Sequence, residues 1–100
     1  MELLRPLNDA AFAAQSAAYT GTAGSTTGWN AGPQGVLVWS DQPCYVEVGE
    51  GAVATTASTP IPAYTPVPFA VPLTVTGVWR VSAIQVSSGG TVYAKPINKQ

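Results

Sequence analysis

From residue 36 onward, hydrophobic and polar positions alternate in short runs with a period of two, the spacing of extended strands. Val36-Leu-Val-Trp39 is a β-rich run, Asp41-Gln-Pro43 is turn chemistry, and Cys44-Tyr-Val-Glu-Val48 places Cys44, Val46 and Val48 on one face. These two runs predict a hairpin. Residues 78–86 predict another strand, Ser87-Ser-Gly-Gly90 a tight turn, and residues 91–94 the returning strand.

Between these pairs lies a proline ladder. Prolines stand at 60, 62, 66, 68 and 72, all even positions, and the odd positions read Ile61, Ala63, Thr65, Val67, Phe69, Val71, Leu73 and Val75. In an extended chain the odd set forms one apolar face, and the even backbone N–H groups, five of them missing, point to one edge. The segment is therefore expected to be an edge strand, or an extended run over the core, blocked on one side. A polyproline ligand fits less well, because spacings of two and four do not make P-x-x-P.

All twelve valines lie at or after Val36, whereas the first 35 residues are mostly Ala, Gly, Ser and Thr. This divides the chain into an N-terminal arm (1–35) serving attachment, a β module (36–97) and a short tail (98–100). The arm is expected to order against a neighbour, since alone it buries little apolar surface. Leu3, Leu4, Leu7, Phe12, Tyr19 and Trp29 are its candidate interface residues. Val38, Val46, Val48, Val67, Phe69, Val71 and Leu73 are the candidate core. A short helix over 8–19 would be capped by Asn8, with Asp9 in its first turn, a Leu7–Phe12 staple and a stop at Thr20-Gly21. An extended arm is the alternative. The fold class is thus mainly β: a small antiparallel β-sandwich with an extended or partly helical arm.

Composition narrows the chemistry. Ala, Val, Thr, Gly, Pro and Ser make up 64 of the 100 residues, charged residues only 9%, and there is no His and one Cys. Without His, neither a Ser/His/Asp nor a Cys/His triad can form; a single Cys leaves no His/Cys zinc site and no disulfide within the chain. The glycines at 21, 24, 28 and 32 match no phosphate-binding spacing. A net charge of -1 with four basic residues gives no footprint for nucleic acid or an anionic membrane. No leader pattern and no 18-residue apolar run is legible; Glu2, Arg5 and Asp9 interrupt the N-terminus. Asp41, Glu47 and Glu50 match no calcium-loop or glycosidase spacing, and Glu47 alternates to the side away from Val46 and Val48. Cys44 reads as a buried small hydrophobe, and Arg80 as facing away from Trp79. Trp29, Trp39, Trp79, Tyr45, Tyr64 and Phe69 are expected to fill a core or interface, with a carbohydrate platform on Trp39 and Tyr45 as the alternative. Neither a cofactor nor a small-molecule substrate is expected, and the chain reads as no enzyme. Residues 10–40 and 51–79 carry no charged side chain, which suits burial against other chains and predicts a homo-oligomer.

The order Gln34-Gly-Val-Leu-Val-Trp-Ser-Asp-Gln-Pro-Cys-Tyr-Val-Glu-Val-Gly49, then Ala54-Thr-Thr-Ala-Ser58, Ile61-Pro-Ala63, Pro68-Phe69, Ser82-Ala-Ile84 and Gly90-Thr-Val-Tyr93, resembles small accessory virion proteins of tailed bacteriophages. The resemblance covers residues 34–95. It implies a β-sandwich that decorates or cements the capsid, located in the virion, with the major capsid protein or other virion proteins as partners. A head–tail connector, tail or fibre component is the alternative place. The resemblance brings no catalytic residues.

Overall fold

The computed structural model describes residues 4–6, 12–30, 33–71 and 78–99. Ten strands run in chain order: β1 (Leu4–Pro6), β2 (Gln15–Tyr19), β3 (Gly24–Ser25), β4 (Trp29–Asn30), β5 (Gly35–Ser40), β6 (Cys44–Gly49), β7 (Thr59–Ile61), β8 (Val67–Ala70), β9 (Val78–Gln85) and β10 (Gly90–Lys99). They form two sheets in which every pairing is antiparallel. Sheet A has the order β2-β10-β5-β8, with β1 continuing along the same side of β10 as β2. Sheet B has the order β3-β9-β6-β7, with β4 continuing along the same side of β9 as β3.

Each strand of one sheet is joined to its counterpart in the other. The links β2→β3, β9→β10, β5→β6 and β7→β8 all cross between sheets, and the strand orders stack these four arcs at one end of the sandwich. Counting β1 with β2 and β3 with β4 as single interrupted strands, the connectivity is 1-8-3-6 over 2-7-4-5, that of a jelly roll. The mainly β sandwich predicted from alternation is the fold observed. The two predicted hairpins are not: β5 pairs with β10 and β8, and β6 with β9 and β7, so Asp41–Pro43 and residues 86–89 turn arcs rather than hairpins. A period of two reports which face of a strand is buried. It is the same for a ladder partner and for a partner across the core.

The interior is filled from both sheets. Val36, Val38, Val92 and Ala94 face Cys44, Val46, Val81, Ala83 and Trp79, and all of these are essentially inaccessible. At roughly 25 cal/mol per Å² of apolar surface, such burial is the main force holding the sheets together.

Residues of the predicted arm belong to this core, which corrects the division at residue 35. Tyr19 and Trp29, expected at an interface, are 2% and 3% exposed within it, and Phe12 packs against it half-buried. Trp29 lies on Trp79 with ring centroids 4.8 Å apart and planes at 37°. Both indole N–H groups are satisfied by backbone carbonyls, Trp29 by Ala13 (2.8 Å) and Trp79 by Asn30 (3.1 Å). Residues 12–14 are irregular and 15–19 form a strand, so the predicted helix is absent there; its first residues, like Leu3, Leu7 and Leu73, lie outside the described residues. Ladder bonds to β10 and burial of Tyr19 outweigh the helix propensity of the alanines. Asn98 and Lys99, assigned to a tail, extend β10 instead.

The side of the sandwich formed by β2, β3 and β4 is stitched between sheets. Gln15 donates through Nε2 to the Gly28 carbonyl (2.8 Å) and accepts from the Gly28 amide (2.9 Å). Gly28 has φ +102°, and a Cβ there would lie 2.7 Å from the Trp79 carbonyl, so only glycine fits. At Gly24 the strands approach so closely that a Cβ would meet the Ala18 carbonyl at 1.9 Å.

The opposite side carries the proline ladder, divided into two edge strands. Residues 59–61 pair with β6, residues 67–70 pair with β5, and 62–66 cross between the sheets. Ile61 is buried and Ala63, Val67, Phe69 and Val71 are half-buried, while residues 60, 62, 64, 66, 68 and 70 are exposed. Thr65, inside the crossing, is exposed too. The Val71 amide donates to the Gln34 carbonyl (3.1 Å), so odd N–H groups point inward and Pro68 occupies an outward position where a donor is missing.

Candidate interaction surface

The two outer faces of the sandwich differ. Over sheet B the link β6→β7 folds back onto the strands and buries Ala52 and Ala54. Ser82, turned outward and fully buried, receives the Ala54 amide at Oγ (2.9 Å) and donates to the Gly24 carbonyl (3.2 Å). Arg80 donates through Nε to the Ala52 carbonyl (2.9 Å), so it pins this cover from within the chain. Glu47 is exposed beside it and accepts from Ser58 Oγ (3.1 Å).

The outer face of sheet A is apolar where it is not small. Register places Ser16, Tyr93 and Trp39 in one row across β2, β10 and β5, and Lys95, Leu37 and Pro68 in the next row across β10, β5 and β8. Trp39 and Tyr93 stack with centroids 5.6 Å apart and planes at 18°, and Tyr93 is 38% exposed. Such a pair contributes about 0.5–1.5 kcal/mol beyond its area. Lys95 is the one charge in these rows, and its ammonium donates to the Phe12 carbonyl (2.9 Å). These rows thus centre on an aromatic pair beside Leu37 and Pro68, with Lys95 as their one charge.

No family model, curated protein or solved structure matches the chain.

The sequence-derived candidates scatter accordingly. Of the three tryptophans, Trp29 and Trp79 are interior and Trp39 lies on the outer face of sheet A. Tyr45 belongs to β6 in sheet B, so Trp39 and Tyr45 do not come together as a carbohydrate platform. Asp41 sits at an arc, where its Oδ1 accepts the Thr91 amide (2.8 Å), away from Glu47 on the face of sheet B. Val38 and Val46 are buried, and Val48, Val67, Phe69 and Val71 pack half-buried against the core. Tyr93 was missed by sequence reasoning. Its signal was present: in the run Thr91-Val-Tyr-Ala94 it alternates to the side away from Val92 and Ala94.

One buried polar cluster stands at the arc end. The Tyr19 hydroxyl reaches across to Ser40 Oγ and to the Gln42 carbonyl (2.9 Å), and Ser40 Oγ also lies 3.2 Å from the Thr91 carbonyl. Burial pushes the Tyr19 phenol up to about 12, opposed by the Ser40 hydrogen bond. Burial likewise raises the neighbouring Cys44 thiol, which keeps it protonated and unreactive. This cluster ties three adjacent arcs together. It is built as structure rather than as a reactive centre.

Proposed function

We propose that the chain is a non-enzymatic virion structural protein of a tailed bacteriophage, a decoration or cement protein that binds the assembled head through the outer face of sheet A. The observation carrying this reading is the asymmetry between the faces: among the described residues, sheet B is covered by the β6→β7 link, while on sheet A Tyr93 and Pro68 are exposed and Trp39 and Leu37 half-buried. Its lateral sides suit a unit that binds by a face. One is stitched between sheets and the other lacks backbone donors at its prolines, so edge-to-edge growth is disfavoured. The resemblance of residues 34–95 to accessory virion proteins points the same way, and jelly rolls recur among viral capsid domains, which is an analogy of fold alone.

The mechanism is linkage. A protein that binds only the assembled, folded shell stabilises that state by mass action, by about 2.7 kcal/mol per site at a hundredfold excess over Kd. Copies bridging subunit boundaries would multiply the effect. Because Tyr19 and Trp29 are already in the core, binding costs little ordering of the segment from residue 15 to residue 30. The test is an image reconstruction of the phage particle that carries the chain: copies in shell symmetry over the head support the reading, and copies confined to a neck or tail ring replace it with the connector reading.

A further inference from the structure

Tyr64 is the one residue other than glycine with a left-handed backbone among the described residues, at φ 57°. For a bulky aromatic this conformation is an outlier, and the steric cost opposes folding by about five- to thirtyfold in the equilibrium constant. Glycine or asparagine would hold the same turn without that cost. The position is fixed from inside, since the Tyr64 amide donates to the Ser40 carbonyl (2.7 Å) and ties the β7→β8 arc to its neighbour. The ring gives little back to the fold, because 75% of the residue faces solvent. Strain of this kind, kept for a side chain that the interior does not use, points outward.

We propose that Tyr64 anchors a homotypic contact in which the arc ends of two copies of the chain meet across a two-fold axis. Pro62 and Pro66 flank the ring with fixed φ, so little freedom is lost when it packs, and tyrosine is among the residues that dominate interface energetics. The arc end is compatible with its own copy. Among residues 20–23, 41–43, 62–66 and 86–89 the single charge is Asp41, whose carboxylate is turned to the Thr91 amide. Val86, 47% exposed, adds apolar area one arc beyond the Asp41 turn. A two-fold contact there brings together as charges only Asp41 and its twin, each carboxylate already accepting the Thr91 amide of its own chain. The occupant is therefore a second copy at the arcs, leaving sheet A for the shell.

This inference rests on the chain being an assembly component, yet it is tested without any particle. Sedimentation equilibrium of the full chain should show a dimer, retained in Tyr64→Phe and weakened at least tenfold in Tyr64→Asn. Thermal melts at a concentration where all three are monomeric should find Tyr64→Asn no less stable than the parent. A parent that stays monomeric, a Tyr64→Asn variant that associates as the parent does, or one whose monomer melts lower, overturns the contact. A chain that dimerises in this way but binds no head overturns the decoration reading alone.

Discussion

Trp29 and Trp79 pack ring on ring at 4.8 Å, although 49 residues of chain separate them, and each is anchored by an indole N–H to a backbone carbonyl. The contact joins the valine-free first third of the sequence to the longest strand of sheet B, so the two parts are expected to unfold as one cooperative unit.

Trp29→Ala should accordingly cost about 3–5 kcal/mol, the range for removing a buried aromatic. Deleting residues 1–33 removes β1, β2, β3 and β4 and uncovers one side of both β9 and β10. The truncated chain should lose cooperative unfolding in urea and its β-type circular dichroism. Retention of a cooperative transition would mean that the sandwich closes without these strands.

That dependence marks where the sequence was legible and where it was not. The runs 36–39, 44–48, 78–86 and 91–94 all lie in strands or, at residue 86, just beyond one, and Cys44 and Val46 are buried on the face expected of them, with Val48 half-buried. The proline ladder was legible for a stronger reason, since missing donors restrict a segment to an edge wherever it pairs. Among the described residues the first third carries two fully buried large side chains, Tyr19 and Trp29, ten residues apart among small ones, which leaves no period to read. Strand pairing across the arcs was hidden because hairpins and arcs bury the same alternating set. The outer face of sheet A was half legible: Trp39 alternates outward, but its partner Tyr93 is brought alongside only by the crossing order β10-β5.

Stability should fall in alkali. The Tyr19 phenol is raised to about 12 in the folded state against 10 in the unfolded chain. Below pH 10 both states hold the proton and the contribution is complete; between pH 10 and 12 the unfolded chain ionises first, so stability is lost as pH rises. Tyr19→Phe should cost about 1–2 kcal/mol at neutral pH through the lost hydrogen bonds to Ser40 and Gln42, and should flatten the alkaline decline. Urea midpoints from pH 8 to 12 measure both effects, and an unchanged slope in the variant would place the titrating group elsewhere.

At the proline edge, Phe69→Ala should destabilise by roughly 2–3 kcal/mol, below the full range for a core aromatic because Phe69 is half-buried. Pro68→Ala should cost on the order of 1 kcal/mol through the entropy of the unfolded chain. It also restores an outward donor on β8, so association through this edge should increase in light scattering. Equal urea midpoints for Phe69→Ala and the parent would contradict the inward orientation of the odd residues.

Which face meets the shell is read directly by hydroxyl-radical footprinting of the chain, free and bound to phage heads. Binding through sheet A should protect Trp39 and Tyr93 several-fold while Tyr45 and Val53, on the side of sheet B, react as in the free protein. Protection of Tyr45 and Val53 with Trp39 and Tyr93 left reactive would contradict it.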